Sequence, residues 1–446
     1  MSDEKQPRKV SSVRHTRAIQ RDRTKHPIAT PSAEQVKARL TTLILPATLA
    51  QVHYFHQLGL RERTLGLVVM VAFVLEMIWR QISGVCEMVR LIETEGVLWA
   101  TPRKVRQQSF SERLATFPSE LFLKVFQAVV PQMQQRWAER ERPLPPEIAW
   151  AQAHYTTVQA VDGSTLDALI RKIGLLRDLP LHPLAGRMTA LLNLASRLPT
   201  HVWYEPDARA HDQRFWEQIL AVLPTQSLLL FDLGYTNFKV FLKLTLAHVT
   251  FITRAKRNLS YTVERTFVRR GAVHDQLIWV GTGEARQLLR LVEVLYRGTW
   301  YRYLSNELDP ECLPMAYLVA LYWQRWRIED AYAIVKRLLG LAYFWCGAQN
   351  AVELQVWATW LLYCVLVDLT DAVAALLNQP FAALSMEMIY RSLYFYTQAH
   401  HRGETDDVVA YLATHATMLG IVKRKRTPTR PSPLDLIPLL TNSTEP

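Results

Sequence analysis

The chain has 446 residues, 49% of them hydrophobic and 21% charged, a composition typical of globular proteins rather than disordered or collagen-like chains. Its 52 Lys and Arg residues outnumber its 40 Asp and Glu residues, which gives a formal net charge of +12. This excess indicates a polyanionic partner, either nucleic acid or an acidic membrane surface. The cysteines, Cys86, Cys312, Cys346 and Cys364, lack metal-binding spacing, so we expect a reduced cytosolic protein without disulfides or a zinc finger.

The apolar runs are too short for a membrane span. The longest are 65–75, which ends before Glu76, and 356–367, which ends before Asp368. A span requires roughly 18 to 20 residues, so both runs are interpreted as buried helices. The N-terminus is rich in Lys, Arg and Pro, so neither a secretory signal nor membrane contact is predicted.

The positive charge is concentrated in three segments. Residues 1–40 and 254–302 each contain ten basic and four acidic residues, and 421–446 contains five basic and two acidic ones. This uneven distribution favours phosphate binding over a general role in solubility. Residues 1–32 are also polar and contain prolines, so they are predicted to form a basic flexible arm.

Residues 33–146 are predicted to form a helical N-terminal DNA-binding domain. Apolar residues recur three and four positions apart over most of this range, as in amphipathic helices. The charged segment 139–146 contains three prolines, which is typical of a linker. A new domain is therefore expected to begin after it.

One part of that domain has a helix-turn-helix-like pattern. Thr101-Pro102 is typical of a capped helix start, and Ser109 to Glu112 has the spacing of a capping box that opens a second short helix. Four basic residues on or beside these helices are candidates for phosphate or base contacts: Arg103, Lys104, Arg106 and Arg113. A solvated basic helix face would have the same pattern, so the spacing leaves both interpretations open.

Beyond residue 147, strand-like runs alternate with helical segments. The predicted strands are 156–161, 188–195, 227–231 and 248–253, and the predicted helices between them are 212–223 and 238–247. This alternation predicts an α/β core with a mixed sheet. Residues 256–304 are predicted to form a β-rich insertion. Asp212, at a predicted helix start, is interpreted as an N-cap rather than a catalytic group.

Two aspartates each follow a strand-like run and precede a glycine: Asp162 lies in Asp-Gly-Ser, and Asp232 in Asp-Leu-Gly-Tyr. The pattern places each carboxylate at a strand end where the chain turns. One such aspartate is typically a turn or helix cap. Two of them favour a site for a hard cation such as Mg²⁺, which prefers oxygen ligands.

A further group of polar residues lies on a predicted helix over 321–340. At 100° per residue, Tyr322, Arg325, Glu329 and Lys336 fall within an arc of about 60° on one face. Such a face suits a polar ligand. A surface salt-bridge ladder, with Arg325 and Glu329 as an i,i+4 pair, would also explain the pattern.

These motifs resemble those of bacterial insertion-sequence transposases of the DDE type. The segment from Tyr322 to Lys336 matches without a gap the signature Tyr-x2-Arg-x3-Glu-x6-Lys of the insertion-sequence-four branch, and the motifs at Asp162 and Asp232 match the other two. The resemblance extends from about residue 150 to about residue 345. Leu233 departs from the pattern, because many family members have Arg there.

The resemblance implies an RNase H-like core with three acidic residues, both catalytic and metal-binding: Asp162, Asp232 and Glu329. They would hold two Mg²⁺ ions, with Mn²⁺ as a substitute. Three neighbours would bind DNA phosphates beside the cut: Tyr322, Arg325 and Lys336.

The implied reaction is transposition of an insertion sequence. The protein would bind the terminal inverted repeats in double-stranded DNA, cleave there, and transfer the 3′-hydroxyl ends to target DNA, through a hairpin intermediate. Because two ends must be paired, a homodimer in the bacterial cytoplasm, associated with the nucleoid, is expected.

Relatives of this branch carry a β-rich insertion between the second Asp and the Glu, and it binds the transposon end. Residues 256–304 resemble it, and Trp279 and Trp300 are candidates for stacking on an extruded base. Packing within the insertion is the alternative. The predicted organisation is an arm over 1–32, a helical DNA-binding domain over 33–146, core parts over 147–255 and 305–385 flanking the insertion, and a C-terminal helical region with a basic tail over 386–446.

Two other functions stay open from the sequence. A structure-specific nuclease of the same fold would cleave DNA without joining it. A domesticated relative would bind DNA as a regulator or scaffold without catalysis. The sequence has no G-x4-G-K-[ST] loop, so an ATP-dependent motor is not indicated.

Overall fold

The computed structural model describes residues 34–82, 84–167, 184–341 and 344–423. The predicted basic arm and residues 424–446 of the basic tail lie outside the described residues. Within these ranges the chain is mixed α/β: a nine-stranded mixed sheet lies between two groups of helices. All four cysteines fall in the described ranges and have free thiols.

The helices before the sheet confirm the helical pattern predicted there. They are α1 (Glu34–Leu49), α2 (Val52–Gln57), α3 (Leu67–Trp79), α4 (Val85–Thr94), α5 (Gln107–Thr116), α6 (Glu120–Ala138) and α7 (Pro146–His154). α3 is apolar on nearly every side and almost wholly buried, as predicted for its apolar run.

The predicted helix start at Thr101-Pro102 is wrong. Residues 101–106 are irregular, and α5 begins at Gln107, so Ser109 lies inside this helix rather than at its cap. The reason is a tight turn that ends α4: Val97 and Ala100 form an isolated bridge, and the Arg103 amide donates to the Ile92 carbonyl at 3.2 Å. The backbone after Pro102 is therefore bonded to the preceding helix.

The sheet has the order β3-β2-β1-β4-β5-β9-β8-β7-β6. Its strands are β1 (Val158–Asp167), β2 (Leu184–Asn193), β3 (Pro199–Glu205), β4 (Leu228–Phe231), β5 (Thr250–Arg254), β6 (Thr262–Arg270), β7 (Val273–Val280), β8 (Gln287–Tyr296) and β9 (Thr299–Ser305). β4 is parallel to both β1 and β5, and the other pairs are antiparallel. Residues 256–304 are β-rich, as predicted, and their strands extend the same sheet because β9 pairs with β5.

Helices cover both faces of the sheet. Two short ones, α8 (Trp216–Val222) and α9 (Phe238–Leu246), pack on one face. Successive residues of β4 face opposite sides of the sheet. Leu228 and Leu230 belong to the larger of two apolar cores, and Leu229 and Phe231 belong to the smaller one on the other face. This two-sided burial explains the unbroken apolar run of β4.

The remaining helices follow the sheet. They are α10 (Met315–Gln324), α11 (Arg327–Ala333), a π-helical turn (Ile334–Leu338), α12 (Gln349–Leu376), α13 (Met386–His401) and α14 (Val408–Thr414). By length and composition α12 could cross a membrane, but 83% of its apolar window is buried inside the protein. The large apolar core includes α12 together with the N-terminal helices.

α12 continues past Asp368, the residue at which the apolar run in the sequence stops. It continues to Leu376, because Asp368 and Asp371 are buried and paired with arginines from other parts of the chain. Two of these, Arg140 and Arg142, come from the segment predicted to be a linker. That segment is therefore docked on α12.

Candidate active site

Asp162 and Asp232 lie at the same level of two adjacent parallel strands. Ala160 of β1 pairs with Leu230 of β4, so two residues further along each chain the two aspartates are neighbours. Adjacent strands run about 4.8 Å apart. The prediction of a strand end is correct for Asp232, which follows β4, and wrong for Asp162, which lies in mid-strand because β2 continues to pair with β1 beyond it.

Both aspartates accept hydrogen bonds from the backbone that follows them. Oδ1 of Asp162 accepts from the Gly163 amide at 2.8 Å. Oδ1 of Asp232 accepts from the Gly234 amide at 2.9 Å and so caps a short 3₁₀ turn over Leu233–Tyr235. Each carboxylate keeps its second oxygen for another partner.

The continuous helix predicted over 321–340 is wrong. α10 ends at Gln324, α11 begins at Arg327, and a π-helical turn follows. At the break the amides of Arg325 and Trp326 donate to carbonyls three residues back, which tightens the chain. Tyr322 and Arg325 are consequently buried, whereas the Glu329 side chain is 42% exposed.

Arg325 connects two of the predicted catalytic carboxylates. Its Nη1 lies 3.2 Å from Oδ2 of Asp162, and its Nη2 lies 3.1 Å from Oε1 of Glu329. The guanidinium thus holds Glu329 beside β1. Its Nε is buried and makes no hydrogen bond within the described residues, and the Tyr322 ring lies 5.8 Å from its Cζ.

Two side chains attach α11 and the turn after it to β1. The Tyr332 hydroxyl donates to the Asp162 carbonyl at 2.6 Å and accepts from the Ala190 amide at 3.0 Å, bridging β1 and β2. Lys336 donates from Nζ to the Thr165 carbonyl. Tyr332 is not among the residues predicted from the sequence, although its place three residues after Glu329 puts both on one side of a helix.

The site is short of positive charge. Burial raises the pKa of Asp162 to about 7, the Arg325 guanidinium opposes that rise, and the nearby charge of Asp232 adds to it. Burial also raises the pKa of Tyr322 to about 12. Three carboxylates thus share one buried guanidinium.

The donor chemistry fits a divalent cation, although the present arrangement does not form a compact site. Among the residues that the structure describes, no three His, Cys, Asp or Glu side chains are grouped so as to hold a metal ion. Arg325 contacts the Asp162 and Glu329 oxygens that a metal would take. Carboxylate oxygens are nevertheless the ligands that Mg²⁺ and Mn²⁺ prefer.

The predicted DNA contacts of the N-terminal region, except Arg103, lie at a separate basic cleft of about 740 Å³. Lys104, Arg106 and Arg113 line it, and two other arginines do so too: Arg61 and Arg63. Arg103 is half-buried, and its guanidinium donates to the Thr101 and Thr64 carbonyls.

The two predicted stacking tryptophans lie on the strands of the β-rich segment. Trp279 donates from Nε1 to Glu264 at 2.9 Å, and the Arg286 guanidinium lies 4.6 Å from its ring. Trp300 is 37% exposed and stacks on His274 at 4.6 Å. In the described chain neither belongs to the two apolar cores.

The mixed sheet thus carries Asp162 and Asp232 at adjacent strands, with Glu329 linked to Asp162 through Arg325. Residues 185–365 match the family model described as Transposase DDE domain, a range that contains Asp232 and Glu329. This match supports a DDE transposase, and thereby a metal-dependent nuclease and transferase with DNA as its partner. No curated protein matches the sequence significantly.

Proposed function

We propose that the chain is the transposase of a bacterial insertion sequence of the insertion-sequence-four branch. It binds the terminal inverted repeats, cleaves the DNA there and transfers the 3′-hydroxyl ends to target DNA, through a hairpin intermediate. The main support for the proposal is that Asp162 and Asp232 lie side by side at adjacent strands, while Arg325 links Glu329 to Asp162.

In this proposal Asp162, Asp232 and Glu329 hold two divalent ions, Mg²⁺ or Mn²⁺. When bound, such ions activate the attacking water or 3′-hydroxyl and stabilise the leaving oxygen. To bind them, Asp162 has to lose its proton. Arg325 has to give up its contacts with Asp162 and Glu329.

The released guanidinium of Arg325 is then available to a DNA phosphate. Arg can donate two parallel hydrogen bonds to a phosphate, and Tyr322 limits its movement by packing beside it. Lys336 lies at the far end of the same segment, on the Thr165 carbonyl of β1. Tyr322, Arg325 and Lys336 would then line one side of the bound DNA strand.

The remaining contacts with DNA come from surfaces outside the catalytic centre. The basic cleft at Lys104 and Arg106 contains five cationic side chains and suits a phosphate backbone. Trp300 and Trp279 present aromatic rings from the β-rich segment. Because two ends are paired before joining, the active form is a homodimer, and it works in the cytoplasm on the nucleoid.

The test is incubation of the purified full-length chain with DNA that carries the element's own ends, with and without Mg²⁺. Sizing the products should reveal nicks, hairpins and joined species that require the metal. A protein that cleaves the DNA but does not join the ends to target DNA, even when it is given pre-cut ends, would be a nuclease instead. Binding without any cleavage would identify a non-catalytic DNA-binding protein.

A further inference from the structure

Asp212 lies beside both aspartate motifs. It begins a 3₁₀ helix, Asp212–Phe215, but the N-cap is His211, whose ring accepts from the Gln213 amide. The interpretation of Asp212 as the N-cap is therefore wrong, and its carboxylate pairs with Arg187 of β2 instead. The two side chains are only 18% and 16% exposed.

The carboxylate of Asp212 fills the space beside the two motif glycines. A Cβ on Gly163 would overlap Oδ1 of Asp212 and lie 2.8 Å from an Arg187 nitrogen. A Cβ on Gly234 would lie 3.0 Å from Oδ2 of Asp212 and 3.1 Å from Oδ1 of Asp232. Neither glycine has a positive φ, so the close approach of the Asp212 carboxylate, rather than backbone conformation, favours glycine at both positions.

The segment around Asp212 is also bonded to the loop that carries Asp232. Gln213 donates from Nε2 to the Thr236 carbonyl at 2.9 Å, and Trp216 donates from Nε1 to the Tyr235 carbonyl at 3.2 Å. On the other side, Arg187 extends from the strand next to that of Asp162. The ion pair between Asp212 and Arg187 therefore connects the loop that carries Asp232 with the strand beside Asp162.

We infer that Asp212 and Arg187 form a positioning pair that fixes Asp162 and Asp232 relative to each other and so sets the site's affinity for divalent cations. The inference rests on the proposed function, because it assumes that these aspartates bind metal. Groups that orient metal ligands typically change metal affinity 10- to 100-fold when mutated.

The test measures Mn²⁺ binding to the full-length chain without DNA, from the electron paramagnetic resonance signal of free Mn²⁺. Asp212→Asn removes the charge but keeps the shape, and we expect binding about tenfold weaker. Arg187→Gln should weaken it similarly, and the double variant no further, because each change breaks the same pair. Asp207→Asn, on the exposed part of the same loop, is the matched control and should bind like the wild type.

Asp232→Asn separates this inference from the proposed function. If Asp232→Asn weakens Mn²⁺ binding while Asp212→Asn does not, the positioning pair is wrong and the metal site stands. If Asp232→Asn binds like the wild type, the metal site itself is wrong. Should Asp212→Asn fail to fold, the comparison of Arg187→Lys with Arg187→Gln tests the inference instead. Lys keeps the positive charge, so Arg187→Lys should retain most of the Mn²⁺ affinity. Equal losses of Mn²⁺ affinity in the two variants would overturn the inference.

Discussion

The protein contains two clusters in which arginines pair with buried or partly buried carboxylates, and they differ in charge balance. On α12, Asp368 and Asp371 are each 1% exposed, and four arginines pair with them: Arg39, Arg136, Arg140 and Arg142. At the candidate active site, Arg325 is the one arginine among the described residues that pairs with Asp162 and Glu329, and Asp232 lies beside them.

This difference separates a structural cluster from a candidate site. On α12 the positive groups outnumber the carboxylates, so each buried charge is neutralised and the helix is fixed to α1 and to the segment after α6. At the candidate site the carboxylates outnumber the positive groups, so the site keeps a net negative charge. A cation is the natural complement of such an excess.

The α12 cluster should be the more important of the two for stability. Arg140→Ala leaves Asp368 and Asp371 short of a partner, and we expect a loss of about 3 kcal/mol in the free energy of unfolding. Arg90→Ala, which breaks an exposed pair with Glu87, is the control and should cost less than about 1 kcal/mol. Denaturant unfolding measures both, and equal small losses would mean that the α12 cluster contributes no more than a surface pair.

The opposite response is expected at the site. Arg325→Gln removes the positive group that competes for Asp162 and Glu329, so Mn²⁺ should bind several-fold more tightly. Cleavage of DNA ends should fall about tenfold, because Gln cannot clamp a phosphate as Arg does. Arg327→Gln, which loses an exposed pair with Asp330, is the control. Weaker Mn²⁺ binding by Arg325→Gln would show that Arg325 organises the carboxylates rather than competing for them.

The uncompensated charge should also appear in the pH dependence of stability. The pKa of Asp162 is about 7 in the folded chain against an ordinary 3.8, so its contribution to stability is full below about pH 4 and is lost as the pH rises through 7. Without metal, Asp162→Asn should therefore melt about 2–4 °C above the wild type at pH 8. The difference in melting temperature between the variant and the wild type should disappear towards pH 4. A difference that does not change with pH would contradict the raised pKa of Asp162.

The smallest effect is expected at the basic cleft, where the cations are exposed. Arg106→Ala should reduce the slope of log affinity for DNA against log salt by about one, with little change in sequence preference. Filter binding at several salt concentrations measures the slope, with Arg90→Ala again as control. An unchanged slope would place the phosphate contacts elsewhere.

Local sequence patterns were sufficient for the strand that precedes Asp232, but not for the extent of the strand that contains Asp162. An unbroken apolar run and a glycine shortly after it mark β4 and Asp232, and the helical spacing before the sheet is equally local. The β-rich segment was also predicted. Its strands, however, join the core sheet through the pairing of β5 with β9, as between Ile252 and Ser305, which lie far apart in the chain. Such pairing leaves no local signal.

The errors arise where distant partners decide the structure. Asp368 interrupts the apolar run in the sequence, yet it lies buried inside α12 because Arg39, 329 residues away, pairs with it. The break before Arg327 divides a segment with a continuous helical pattern, and it accompanies the pairing of Arg325 with Asp162 across 163 residues. Asp212 has the sequence context of a cap, and only the fold places it beside Gly163 and Gly234.

Mg²⁺-dependent cleavage of end-containing DNA by Asp232→Ala is the decisive test of whether Asp162, Asp232 and Glu329 form the catalytic centre. Asp330→Ala, an exposed acidic residue next to Glu329, is the matched control. We expect Asp232→Ala to bind the ends but to cleave them at least about 100-fold more slowly, and Asp330→Ala to cleave like the wild type. Cleavage at the wild-type rate by Asp232→Ala would contradict this assignment of the catalytic centre.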